Sequence, residues 1–117
     1  LEHVYLDEKI IQYILDLVIA TRPGCRKELS ERQAGARLDE LDGLISFGAS
    51  PRASIALALA SRAAALLAGR AYVLPQDVKA IAPDVLRHRI VLSYEAEAEN
   101  INADAVITRL LAELRTP

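Results

Sequence analysis

The chain has 117 residues, of which 52% are apolar and 26% charged, with only five glycines and five prolines. That suits one compact domain and carries too much apolar content for disorder. A net charge of −2 lacks the basic excess that nucleic-acid binding demands, no apolar run approaches a membrane span, and the single cysteine, Cys25, cannot close an internal bridge.

These features predict a soluble, cytoplasmic protein without nucleic-acid or membrane partners. The start at Leu1 instead of Met points to a piece of a longer protein, folded as a single domain over residues 1–117. The apolar content is dominated by Ala and Leu, the strongest helix formers, so the expected fold class is all-α. The pattern predicts a bundle of four or five helices with a small two-strand patch.

A first helix is expected from about Glu8 to Thr21, with Asp7 as its N-cap. Ile10, Ile11, Ile14, Leu15, Leu17 and Val18 recur at helical spacing, and Pro23-Gly24 stops the run. Residues 24–43 form the most polar stretch and read as an exposed loop, with one helical turn near Arg37 to Leu41. Leu44-Ile45-Ser46-Phe47 and Arg89-Ile90-Val91-Leu92 are β-like and could pair. A second helix starts with Ser50 as N-cap and Pro51 at its first position, and ends at Gly69. A third runs from Pro75 to about Ala82, where Pro83 should break or kink it, with a last turn to Leu86 or His88. Residues 95–100, EAEAEN, read as a solvated acidic face. A final helix spans about Ala103 to Arg115, capped by Asn102. Its stripe of Val106, Ile107, Leu110, Leu111 and Leu114 should fold back on the first helix.

The second helix is the most informative. Between Pro51 and Ala68 its only polar side chains are Arg52, Ser54, Ser61 and Arg62. A helix apolar on all sides must be covered on all sides. Either it is the central core helix, the commoner case in a small domain, or a partner covers part of it. Its start is unusual. The first turn of a helix favours acids, yet it holds Arg52, and Ala53 stands where a capping box would place Glu or Gln. Free backbone N–H groups beside a guanidinium suit an anion, above all a phosphate oxygen. The alternative is that Arg52 pairs with a surface carboxylate, for instance on the loop before it.

Gly48-Ala49-Ser50-Pro51-Arg52-Ala53 resembles the GASPRA motif of MoxR-type AAA+ ATPases. Three further segments resemble the same family in the same order. They are Tyr13-Ile14 with Ala20-Thr21-Arg22, Gly69 to Val73 with Pro75 to Val78, and Val85 to Ile90. The resemblance covers roughly residues 4 to 115 and lies entirely in the family's C-terminal helical lid. It implies a lid that closes over ATP and couples nucleotide state to chaperone-like remodelling or assembly of client proteins. The implied partners are the AAA+ core domain of the same chain and further copies in a homo-hexamer. It further implies that Arg52 is the sensor-2 arginine, a catalytic group reaching the phosphates, with Ser50 and Pro51 beside it in the nucleotide site. No GxxxxGK[ST] and no strand ending in paired acids occur in this sequence. The phosphate loop and the magnesium site therefore fall to the core domain. The chain by itself should not hydrolyse ATP, while its parent should.

Other candidates are weaker. Arg87-His88-Arg89 reads as cations suited to a helix C-terminus, with an interdomain contact as the alternative. Arg62 and Arg70 read as stems packed on the core with heads in water. Cys25 beside Arg26 and Lys27 lacks a His partner, and His3, His88 and Cys25 lack metal-ligand spacing, so no metal site is expected. Two other function classes remain open. One is a helical protein-interaction module with no nucleotide role. The other is a helix-turn-helix DNA binder, which the acidic balance opposes.

Overall fold

Asp7 starts the first helix as its sequence context predicts, its carboxylate accepting the Lys9 N–H at 3.0 Å. Helix α1 runs over Glu8–Ala20 and buries Ile10, Tyr13, Ile14, Asp16, Leu17, Val18 and Ala20. The computed structural model describes residues 4–22, 29, 30, 33 and 43–117. The helical turn expected near Arg37 to Leu41 lies outside those residues.

Strand β1 (Ile45–Phe47) pairs antiparallel with β2 (Val91–Leu92), as expected from their β-like composition. Ile45 stands opposite Leu92 and Phe47 opposite Val91, with an irregularity between the two pairs. Ile45 is buried, while Phe47 and Val91 face outward.

Helix α2 (Arg52–Leu67) buries one stripe, Ala53, Leu57, Ser61 and Ala65, at a strict four-residue spacing. Three of the four are small, so a neighbouring helix can approach closely. The opposite face is open, with Ile55 63% and Leu59 50% exposed. The central-helix reading is therefore corrected. Helix α3 (Pro75–Leu86) packs against α2, α1 and α5 (Ala103–Glu113), and α1 likewise meets α2, α3 and α5, whereas α2 meets only α1 and α3 among the larger helix contacts. Apolar content all round α2 leaves one face packed inside the domain and the other exposed.

The end of α2 is a Schellman turn. Gly69 takes φ +80°, the Arg70 N–H reaches the Ala65 carbonyl at 2.9 Å, and the Gly69 N–H reaches that of Leu66 at 3.0 Å. Pro75 opens α3, and the Asp77 carboxylate accepts the Leu74 N–H at 2.8 Å. Of the break or kink expected at Pro83, the break does not occur: α3 continues through it and ends at Leu86, one of the two ends expected. Burial of Ala82 and Leu86 on either side of Pro83 offsets its missing backbone donor.

The acidic run also departs from expectation. Tyr94–Ala98 forms a short helix, α4, capped by the Ser93 hydroxyl at the Ala96 N–H, and Ala96 is fully buried. The glutamates are solvated, but the run is anchored by its middle. Helix α5 (Ala103–Glu113) is capped by Asn102 at the Ala105 N–H and packs on α3 as well as on α1.

Two further ties complete the fold. Tyr5 bridges to Tyr72, with the Tyr5 N–H on the Ala71 carbonyl at 2.7 Å and the Val73 N–H on the Tyr5 carbonyl at 2.9 Å. Asp16, fully buried on α1, accepts from Gln12, from the Ser30 N–H and hydroxyl, and from the Gln33 amide. Gln33 in turn exchanges two hydrogen bonds with the Arg115 backbone, at 3.0 and 2.7 Å. One carboxylate thus fastens residues 30 and 33, and through Gln33 the chain after α5, to the first helix.

Candidate functional site

The site begins where α1 ends. Thr21 is fully buried, and its hydroxyl donates to the Val18 carbonyl at 2.6 Å while accepting the Ala49 N–H at 2.9 Å. Gly48 lies hard against the same residue. A Cβ added there would fall 2.2 Å from the Thr21 carbonyl oxygen, closer than any side chain permits. Glycine is therefore required at this position for close approach of two backbones.

From this anchor the chain enters α2. Ser50 accepts the Ala53 N–H with its backbone carbonyl at 2.9 Å, and Pro51 already has helical dihedrals of −55° and −24°. No side chain caps the helix start, so the expected hydroxyl cap from Ser50 is corrected. The proline fixes the first turn and needs no donor, which makes a side-chain cap dispensable. The first turn carries no acid. Arg52 and Ser50 are exposed.

Among the described residues no carboxylate pairs with Arg52, and most of the loop before it lies outside them. The ion pairs among the described residues join Arg70 to Asp77, and Arg87 to both Asp84 and Asp104, and Arg52 takes part in none of them. An uncapped helix N-terminus, without an acid and with a guanidinium unpaired among the described residues in its first turn, is electrostatically open to an oxyanion.

Beside this turn lies an apolar groove of about 250 Å³ between α1 and the first half of α2. Leu6, Ile11, Ile14, Leu15, Ile55 and Ala58 line it, with Ser54 as its polar member. The Ser54 hydroxyl is turned back onto the Pro51 carbonyl at 2.7 Å. Counting apolar residues in sequence could not reveal this groove, because its two walls come from helices separated by the polar segment.

Other singled-out residues have structural employment. Arg70 is no solvated stem, since it pairs with Asp77 across the turn into α3. Arg87 bridges α3 to α5 through Asp104 at 2.7 Å and holds Asp84 at 3.2 Å. The hydrogen bond and charge of Asp104 raise its pKa further above an already high value. His88 and Arg89 are exposed beside it. Among the described residues no group of three or more His, Cys, Asp or Glu side chains gathers, and no helix is long and apolar enough to cross a membrane. His3 and Cys25 lie outside the described residues.

The AAA lid domain family matches residues 41–110. Chaperone MoxR1 of Mycobacterium tuberculosis is 40% identical over 113 residues, covering 97% of this chain and 28% of that protein. Protein MoxR of Paracoccus denitrificans is 39% identical over 110 residues, covering 91% of this chain and 30% of its own length. A crystal structure from Cytophaga hutchinsonii, provisionally assigned as an ATPase, superposes with a TM-score of 0.85 at 38% identity. That alignment covers 99% of this chain and 32% of the other. The chain thus spans about a third or less of the length of these relatives. With the helical bundle, its two-strand patch and the order of motifs in agreement, this chain belongs to the AAA lid domain family and is a lid of the MoxR type.

Proposed function

We propose that in the full-length protein this domain closes over ATP bound to an AAA+ core of the same chain, and that Arg52 reaches the nucleotide phosphates. One observation carries the reading: Arg52 is exposed and unpaired among the described residues, in a helix start that has neither a side-chain cap nor an acid. A guanidinium so placed holds a phosphate oxygen by charge-assisted hydrogen bonds and stabilises charge on a transferring phosphoryl group. Ser50 and Pro51 shape the turn that presents it. The core domain supplies the phosphate loop and the magnesium site, which this chain lacks. The groove and the exposed Ile11, Leu15, Ile55 and Leu59 offer an apolar surface against which that core can seat.

On this reading the parent is a cytoplasmic, ring-forming ATPase, a homo-hexamer that couples ATP hydrolysis to chaperone-like work on client proteins. The mycobacterial relative is named a chaperone, in agreement with that class. The test is Arg52→Ala in the full-length protein. Turnover of ATP should fall about a hundredfold, as on loss of other groups that stabilise transition-state charge. The thermal midpoint should stay put, since the side chain is exposed. Wild-type turnover in that variant refutes the role of Arg52.

A second reading, a protein-interaction module without a nucleotide role, draws on the exposed Leu59, Leu66 and Leu67 along α2. Client binding indifferent to ATP, together with the wild-type turnover just described, would favour it.

A further inference from the structure

We propose that Thr21 is the positioning residue for Arg52, setting through one hydroxyl the direction in which α2 leaves the end of α1. The inference rests on the phosphate-sensing reading of Arg52 and deepens it. Arg52 has no side-chain partner among the described residues, so the path of the backbone before it decides where its guanidinium can reach. Beyond the end of β1 at Phe47, that path is held at Thr21. The Thr21 hydroxyl spends its proton on the Val18 carbonyl and receives the Ala49 N–H, which ties the last turn of α1 to the residue three before Arg52.

The same threonine also limits approach from the other side. A Cβ on Gly48 would lie 2.2 Å from the Thr21 carbonyl oxygen, 2.6 Å from its carbonyl carbon and 2.7 Å from Arg22 Cγ. The hydroxyl therefore pulls Ala49 in, while the carbonyl stops Gly48 at contact. Thr21, Ala49 and Ala53 are all fully buried, so neither water nor a shift of side chains can replace the lost bond. A displacement near 1 Å at a phosphate-contacting group is costly to catalysis. Serine at position 21 retains a hydroxyl that can serve as both donor and acceptor. Valine has nearly the same shape and neither capacity.

The experiment uses the full-length ATPase in four forms: Thr21→Val, Thr21→Ser, Arg52→Ala, and Thr21→Val combined with Arg52→Ala. Thr21→Val should lower kcat for ATP about tenfold, a part of the loss that removing Arg52 itself brings, as a small displacement of a phosphate-contacting group does. Thr21→Ser should return kcat to within about twofold of the parent. The double variant should be no slower than Arg52→Ala, since a change that acts only by misdirecting an arginine has no effect once that arginine is gone.

Parental kcat in Thr21→Val overturns the proposal, as do losses that multiply in the double variant, the mark of a purely structural role. Parental kcat in Arg52→Ala removes the underlying reading instead. An impaired Arg52→Ala beside an intact Thr21→Val removes only the role of Thr21. Should Thr21→Val fail to fold, amide exchange at Ala49 in the unmodified protein decides. Protection comparable to the helix core is expected, and exchange at the rate of an open amide overturns the proposal.

Discussion

Arg70 and Asp77 form an ion pair that joins the Schellman end of α2 to the capped start of α3. The Asp77 carboxylate is divided between two tasks, one oxygen on the guanidinium and the other on the Leu74 N–H. Its side chain is 7% exposed against 21% for Arg70. The carboxylate is thus the more deeply committed partner.

Asp77→Ala should therefore destabilise the domain by about 3 kcal/mol, combining a lost helix cap with an abandoned, largely buried guanidinium. Arg70→Ala should cost less, because Asp77 keeps its bond from Leu74. Urea unfolding of both variants measures the order.

Two glycines should respond differently to alanine. At Gly69 nothing lies within 4 Å of an added Cβ, and only the φ of +80° is unfavourable. Gly69→Ala should cost about 1 kcal/mol. At Gly48 the added carbon meets backbone, which cannot move without shifting a helix. Gly48→Ala should cost about 3 kcal/mol or more, read by the denaturation midpoint.

Tyr13 is 1% exposed, and its hydroxyl has no hydrogen-bond partner among the described residues. Tyr13→Phe should therefore match or exceed the parent in stability at neutral pH. Burial pushes the phenol up to about 12. In the unfolded chain it ionises near 10. Between those values the unfolded state has released a proton that the folded state retains. Stability is then full below about pH 10 and declines as pH rises towards 12, by about 2 kcal/mol. The phenylalanine variant should lack this alkaline decline in a pH series of denaturation curves.

Ile55 and Leu57 stand two residues apart on α2 and face different environments. Leu57 is fully buried, and Leu57→Ala should cost about 3 kcal/mol. Ile55→Glu should change the stability of the isolated domain by less than about 0.5 kcal/mol. In the full-length protein the same glutamate should loosen the docking of the domain, measured as faster proteolysis between core and lid.

Much of this architecture can be read from short-range chemistry. Asp7 and Asn102 cap the helices they precede, because a cap needs only a side chain and an amide two or three residues on. The pairing of β1 with β2 follows from two β-like runs, and Arg52 is exposed as its place in the first turn predicts. What escaped depends on partners far along the chain. Ala49 finds Thr21 across 28 positions, and Gln33 finds the Arg115 backbone across 82. Nothing in the apolar count of α2 separates the face that packs on α3 from the face left open. The helix at Tyr94–Ala98 was hidden because alternating Glu and Ala look solvated until Ala96 is buried.

Because Thr21 and Gly48 grip α2 at its head and the Arg70–Asp77 pair grips it at its tail, the helix is a strut fixed at two joints. Sixteen residues make a rod of about 24 Å. A rod so held has no loose hinge at either end at which to bend.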